Sequence, residues 1–205
     1  MSTKKVFVTV AGNIGSGKSS LTRMIGDHFN WRPYFESVSD NPYLKDFYKD
    51  MERWSFHLQV YFLSHRFRTH VRIVNSKRSV IQDRSIYEDA EIFARNLYDM
   101  GNMSKRDYKN YTALFKEMTA FLKPPDLLVY LRANTDTLVK QITLRGRTFE
   151  KSIERSYLQL LNDSYESWIS KYDHSNCIII ESDHLDFVKN PNDLDFIINA
   201  VKKEL

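Results

Sequence analysis

The sequence predicts an α/β protein of three layers, in which helices cover both faces of a five-stranded parallel sheet. Short apolar runs alternate along the chain with longer helical patterns, the order expected of repeated strand–helix units. The apolar runs are continuous or rich in β-branched residues, as strands covered on both faces require. The predicted strands are residues 6–10, 80–81, 126–131 and 177–180, with a weaker fifth strand near 34–35.

Helical patterns fill the stretches between these strands. The stretch 52–77 is the most informative, because Gln59, Phe62 and Arg66 follow one another at helical spacing beside an apolar stripe. An amide, a ring and a guanidinium are not what a pure packing face would select, so this line of residues indicates a binding surface. The predicted helices are residues 18–29, 42–50, 52–77, 86–100, 104–122, 135–145, 152–173 and 192–204.

Composition limits the classes of protein that fit. The 205 residues are 42% hydrophobic and 27% charged, which is typical of a globular domain and excludes a disordered or low-complexity chain. The chain has no repeat and no linker, so we predict a single domain over 1–205. No apolar run approaches the roughly 20 residues of a membrane span, and the N-terminus has no targeting segment. We therefore expect a cytoplasmic protein without a membrane partner.

Charge and cysteine content narrow the partners further. The formal net charge is only +4, and the densest basic stretch, 66–78, is interleaved with apolar residues. This pattern favours a partly solvated helix over a polyanion-binding patch, and we expect no nucleic-acid partner. The six histidines lack metal-ligand spacing, and Cys177 is interpreted as a buried strand residue rather than a nucleophile.

A phosphate-binding loop follows the first predicted strand. Residues 12–19 match the pattern G-x-x-x-x-G-K-[ST] and directly precede a predicted helix, which is the context that this motif requires. Glycines let backbone N–H groups turn toward an anion, the lysine reaches the β- and γ-phosphates, and the serine hydroxyl can ligate Mg²⁺. A P-loop NTPase fold that binds a nucleoside triphosphate is therefore predicted. The predicted ATP-binding residues here are Gly12, Asn13, Ile14, Gly15, Ser16, Gly17, Lys18, Ser19 and Ser20.

Two carboxylates follow other predicted strands. Glu36 and Asp83 are expected at the same sheet edge as the phosphate loop, because ligands bind at the carboxyl ends of parallel strands. An acceptor with a neutral hydroxyl group needs a carboxylate base, for which Glu36 is the candidate, whereas a phosphate acceptor would need arginines there. Asp83 is the candidate second Mg²⁺ ligand beside Ser19. The alternatives are a helix-terminal carboxylate for Glu36 and a salt bridge for Asp83.

A short arginine-bearing lid is predicted near the end of the chain, at about 145–155. Arg145 and Arg147 flank a glycine between two predicted helices, and arginines on such a segment can stabilise charge on the transferred phosphoryl group. Exposed surface charge is the alternative interpretation.

Several motifs in the same order resemble the deoxyribonucleoside kinase family, with the bacterial deoxyadenosine kinase branch most similar. They are G-N-I-G-S-G-K-S at 12–19, E-x-V at 36–38, D-N-P-Y-L at 40–44, W-x-x-x-x-Q at 54–59, D-R-S-I-Y-E-D at 83–89, M-G-x-M-S-x-R-D-Y at 100–108, R-G-R-x-x-E at 145–150 and Y-L-Q-x-L at 157–161.

The resemblance implies roles for matching positions. Glu36 would be the general base on the 5′-hydroxyl, while Arg84 and Lys18 would complete the catalytic set. Tyr48 and Glu150 would bind the sugar 3′-hydroxyl. The base would contact Gln59, Phe62 and Phe93. It would also lie beside the charged pair of Arg66 and Asp89, and this pair would disfavour thymine.

These observations together predict an ATP- and Mg²⁺-dependent deoxynucleoside kinase of nucleotide salvage. Deoxyadenosine is the first expected substrate, with deoxycytidine or deoxyguanosine next, and the resemblance also implies a homodimer built from the 52–77 helix and the helix after D-R-S. Two alternatives stay open: a thymidylate-type monophosphate kinase, and a nucleotide-binding switch without a small acceptor.

Overall fold

A five-stranded, all-parallel sheet forms the framework of the protein and confirms the predicted fold class. The computed structural model describes residues 5–35, 41–147, 150 and 153–205. The strands are β1 (Phe7–Gly12), β2 (Arg32–Tyr34), β3 (Val80–Asp83), β4 (Leu127–Arg132) and β5 (Asn176–Glu181), arranged in the order β2-β3-β1-β4-β5.

Helices connect the strands on both faces. Their bounds are α1 (Lys18–Phe29), α2 (Leu44–Phe47), α3 (Met51–Val74), α4 (Ile86–Glu88), α5 (Arg95–Asp99), α6 (Lys105–Thr119), α7 (Thr135–Arg145), α8 (Arg155–Ile169) and α9 (Pro191–Lys203). A π-helical segment, Asp89–Ala94, joins α4 to α5. None of the helices in the described ranges is long and apolar enough to span a membrane.

Two predicted helices differ from the observed ones. The helix expected over 42–50 is only the single turn α2, and a separate cap begins α3, where the Asp50 side chain accepts a hydrogen bond from the Arg53 N–H. The helix expected over 86–100 is interrupted by the π-helical segment, whose wider turns the residue pattern does not reveal.

The core packs against both faces of the sheet. On one face, Val10 and Ile81 meet Ile25 of α1 and Ile197 of α9. On the other face, residues of β4 pack against α8, where Tyr130 stacks on Tyr165. Burial on both faces accounts for the continuous apolar strands.

The last strand, β5, lies at the sheet edge and is less buried than predicted. Ile179 is 41% exposed, and Cys177 is half-buried rather than buried, since a neighbouring strand covers only one side of β5. Burial is still sufficient to raise the pKa of the Cys177 thiol to about 11. The thiol is therefore protonated at neutral pH, which supports the interpretation that it is not a nucleophile.

Candidate active site

The phosphate loop joins β1 to α1 in a conformation that only glycine adopts easily. Gly15 has φ +88°, and a Cβ there would lie 2.8 Å from the Leu138 carbonyl oxygen. Gly17 has φ +92° and precedes the first residue of α1. The Lys18 ammonium group donates to the Asn13 carbonyl oxygen at 2.8 Å, so the lysine folds over the loop. A helix N-terminus, a lysine and a glycine turn together suit a bound phosphate.

The predicted ATP-binding residues divide into two groups. One group lines a cleft above the sheet, while the other lies outside the cleft lining and includes the exposed Ser20. Asn13 anchors the loop, because its side-chain amide donates to the Leu158 carbonyl oxygen at 2.9 Å. The lining residues are Ile14, Gly15, Lys18, Ser19, Arg145 and Arg147, and those outside the lining are Gly12, Asn13, Ser16, Gly17 and Ser20.

The two candidate magnesium ligands lie in direct contact. The Ser19 hydroxyl donates to Asp83 Oδ2 at 2.5 Å, and Asp83 is only 4% exposed. The other oxygen, Oδ1, is buried and has no hydrogen-bond partner within the described part of the chain. One carboxylate and one hydroxyl beside a phosphate site fit Mg²⁺, which takes few protein ligands and completes its shell with phosphate and water oxygens.

Arg84 follows Asp83 in a strained turn. Its φ of +65° lies in the left-handed region, which costs a residue other than glycine about 1–3 kcal/mol. The Arg84 N–H donates to the Val10 carbonyl oxygen at 3.0 Å, and its guanidinium carbon lies 4.2 Å from the centre of the Phe93 ring. This turn carries the guanidinium into the cleft beside the phosphate loop.

The cleft also presents a buried amide, a carboxylate and two rings. Gln59 is 3% exposed, and its Oε1 has no hydrogen-bond partner among the residues described. Phe62, Asp89 and Phe93 line the same cleft. Arg66 lies behind them, with its Nε 2.5 Å from Asp89 Oδ2. These side chains together can receive a flat, polar ring system.

The predicted lid residues contact a predicted sugar-binding residue. Arg145 donates from Nε and Nη2 to the Glu150 carboxylate at 3.0 and 2.8 Å, and Arg147 Nη1 donates to it at 3.3 Å. Glu150 is 5% exposed, and Tyr48 lines the cleft with it. The sequence assigns these arginines and this carboxylate to different substrates, whereas the structure joins them.

Sequence reasoning assigned no role to four further residues of the cleft lining. They are Leu44, Phe47, Leu58 and Tyr157. Leu44 and Tyr157 belong to the motifs at 40–44 and 157–161, but nothing in the spacing shows that they face the same space. Burial raises the pKa of Tyr157 to about 12, so the phenol is neutral at physiological pH. Glu36 lies outside the described residues, and its predicted place opposite the phosphate loop stays a prediction.

Comparison with known proteins identifies relatives along almost the whole chain. The deoxynucleoside kinase family model matches residues 8–205. The deoxyadenosine/deoxycytidine kinase of Bacillus subtilis is 40% identical over 200 residues, covering 97% of this chain and 92% of the relative. The deoxyguanosine kinase of Lactobacillus acidophilus is 36% identical, with coverage of 97% and 90%.

A solved structure gives the same result. Deoxyadenosine kinase from M. mycoides, with the products dCMP and a flexible dCDP bound, superposes with a TM-score of 0.85 at 29% identity, covering 96% of this chain and 99% of that one. Its likeness confirms the P-loop NTPase fold.

Proposed function

This chain belongs to the deoxynucleoside kinase family, and we propose that it phosphorylates deoxyadenosine best, with deoxycytidine or deoxyguanosine next. The reaction transfers the γ-phosphoryl group of ATP to the 5′-hydroxyl of the nucleoside. The observation that carries the proposal is one cleft that is lined both by the phosphate loop and by Gln59 and Asp89.

Glu36 is proposed as the general base of this reaction. It takes the proton of the 5′-hydroxyl as the oxygen forms its bond to the γ-phosphorus, and the bond from that phosphorus to the bridging oxygen breaks to release ADP. Lys18 and Arg84 are proposed to stabilise the negative charge on the phosphoryl group, and Arg145 and Arg147 join them when the lid closes over ATP. Folding of Lys18 over the phosphate loop supports this assignment.

Mg²⁺ is proposed as the cofactor, held by Ser19 and Asp83. When bound, the ion neutralises charge on the phosphate oxygens of ATP. The buried Oδ1 of Asp83, which no described residue contacts through a hydrogen bond, supports this site, because a buried carboxylate oxygen costs stability unless something binds it.

Substrate selection is assigned to the rest of the cleft. Gln59 presents a carboxamide oxygen that accepts a hydrogen bond from an exocyclic amino group, which adenine and cytosine carry and thymine lacks. The Asp89 carboxylate is also a hydrogen-bond acceptor, and Phe93 offers a ring for stacking. Tyr48 and Glu150 are proposed to bind the 3′-hydroxyl, and Phe62 limits the size of the base.

Homodimer formation and cytoplasmic location stay predictions of the sequence. Half-buried apolar side chains on α3, including Phe56, Val60 and Phe67, support a second copy packing against this helix. Light scattering of the purified protein would measure the mass of the assembly.

A substrate screen tests the proposed function. All four deoxynucleosides and their monophosphates are assayed with ATP and Mg²⁺. We expect deoxyadenosine to be phosphorylated fastest, thymidine slowest among the nucleosides, and the monophosphates not at all. Faster turnover of a monophosphate would instead indicate a thymidylate-type kinase, and ATP hydrolysis independent of any nucleoside would indicate a switch protein.

A further inference from the structure

Glu88 is a completely buried carboxylate for which the reaction described above has no role. It is the last residue of α4 and is 0% exposed. Removing an ionised carboxylate from water costs several kcal/mol unless hydrogen-bond donors surround it. The donors around Glu88 therefore identify what this residue holds together.

Four donors from three parts of the fold meet this carboxylate. Oε2 accepts from the backbone N–H of Ser85 at 2.8 Å and from its hydroxyl at 3.3 Å. Oε1 accepts from the Tyr165 hydroxyl of α8 at 2.8 Å and from the Gly12 N–H at 3.4 Å. Gly12 is the first residue of the phosphate loop, and Ser85 follows Arg84.

The contacts of Oε2 alone form a capping box at the start of α4. A capping box uses one side-chain oxygen and is compatible with a solvent-exposed glutamate. The second oxygen of Glu88 reaches instead to the phosphate loop and to α8, so capping does not account for the whole arrangement.

The peptide between Arg84 and Ser85 is held at both ends. Its N–H donates to Glu88, and its carbonyl oxygen accepts from Arg66 Nη1 at 2.9 Å. This peptide directly follows the strained φ of Arg84, and a strained residue persists only when its surroundings hold it. Glu88 and Arg66 thereby hold, from its two ends, the peptide that follows the strained residue.

We propose that Glu88 is a positioning residue that fixes the separation between the phosphate loop and the Arg84 turn. This inference rests on the proposed function, in which Lys18 of the phosphate loop and Arg84 both act on the transferred phosphoryl group. Phosphoryl transfer depends strongly on that separation, because a misplacement of about 1 Å can lower a rate roughly 10²-fold. Binding of either substrate alone depends on it much less.

Tyr165 allows the role to be tested with the carboxylate and the cap intact. Burial raises the pKa of Tyr165 well above its ordinary value of 10.0, and the nearby Glu88 adds to the effect, so the phenol is a permanent donor. Tyr165→Phe removes only one donor to Oε1. Glu88→Gln replaces one carboxylate oxygen by an amide NH₂ group. This group then faces another hydrogen-bond donor, and the repulsion pushes the phosphate loop and the Arg84 turn apart.

The experiment compares Glu88→Gln, Tyr165→Phe and the wild type, with Glu91→Gln as the matched control. Glu91 is an exposed glutamate of the π-helical segment, outside the cleft lining. Turnover and KM are measured with deoxyadenosine, affinity for a non-hydrolysable ATP analogue by calorimetry, and folding by thermal unfolding. We expect kcat to fall about 10- to 100-fold in Glu88→Gln and about 3- to 10-fold in Tyr165→Phe, with KM and nucleotide affinity within about 3-fold.

Three results would overturn this role. They are wild-type kcat in folded Glu88→Gln, a rise in KM without a change in kcat, and an equal loss of kcat in Glu91→Gln. If Glu88→Gln does not fold, the proposal is tested by the kcat of Tyr165→Phe alone. A kcat equal to that of the wild type in this variant contradicts the proposal. A wild-type protein that phosphorylates no deoxynucleoside contradicts the proposed function instead, so the two failures are distinguishable.

Discussion

Arg145 donates from two guanidinium nitrogens to the carboxylate of Glu150, at 3.0 and 2.8 Å. This bidentate pair links the lid, which we assign to the phosphates of ATP, to the residue that we assign to the sugar of the nucleoside. A substrate hydroxyl bound to Glu150 and phosphate oxygens bound to Arg145 would then contact two side chains that are hydrogen-bonded to each other.

Glu150→Gln should weaken recognition of the 3′-hydroxyl. The measurement is kcat/KM for deoxyadenosine divided by kcat/KM for 2′,3′-dideoxyadenosine, because this ratio cancels any effect of the lid arginines on ATP. We expect the ratio to fall about 10-fold, the usual magnitude for loss of a charged hydrogen-bond partner. Glu154→Gln, an exposed glutamate just before α8, is the control. A ratio equal to that of the wild type would exclude Glu150 from the sugar site.

Glu36→Gln should abolish most of the activity while leaving ATP binding nearly intact. Only removal of the hydroxyl proton is lost, and general-base catalysis contributes roughly 10²- to 10⁴-fold to a rate. Turnover and nucleotide affinity are measured side by side, with the exposed Glu52→Gln as control. Unchanged turnover would assign the base to another residue.

Replacing Arg66 and Asp89 together by Met and Ala should relax the selection against thymine. The measurement is the ratio of kcat/KM for thymidine to kcat/KM for deoxyadenosine. This ratio should rise, even though overall turnover falls because Arg66 no longer donates a hydrogen bond to the Arg84 carbonyl oxygen. If the ranking of bases stays the same, this pair does not select the base.

The single change Asp89→Asn should destabilise the protein more than the double change. It removes the negative charge that lies against the buried guanidinium of Arg66, and breaking a buried ion pair on one side costs about 3–5 kcal/mol, whereas removing both charges costs less. Urea unfolding of the two variants measures the difference, and equal stability would contradict the expectation.

His70 should make the fold less stable below neutral pH. The imidazole is 1% exposed, its Nε2 lies 2.8 Å from the Lys123 carbonyl oxygen, and burial lowers the pKa of His70 from its ordinary value of 6.5. The folded state then keeps the ring neutral, while the unfolded state binds a proton below about pH 6.5. The contribution to stability is fully present above that pH and is lost as the pH falls toward the folded-state pKa.

Urea unfolding between pH 7.5 and 5 measures this effect. The loss of stability on acidification should be smaller in His70→Gln than in the wild type, and the exposed His184→Gln should behave as the wild type does. If His70→Gln loses as much stability on acidification as the wild type does, His70 is not the cause of that loss.

The sequence by itself determined the local features of this protein. The phosphate loop, the parallel strands and the line of Gln59, Phe62 and Arg66 on α3 follow from residue spacing, because glycine conformation and the periodicity of burial are properties of a short segment. The spacing of Asp89 and Phe93 likewise places both on one face, and both line the cleft.

Only the tertiary structure decided which of these segments share a partner. The strand order places β1 beside β3, so that Glu88 reaches Gly12, 76 residues away in sequence. The same long-range packing leaves β5 at an edge and brings the Tyr165 hydroxyl onto Glu88. Such contacts depend on how elements assemble in space, and no periodic pattern within a single segment encodes them.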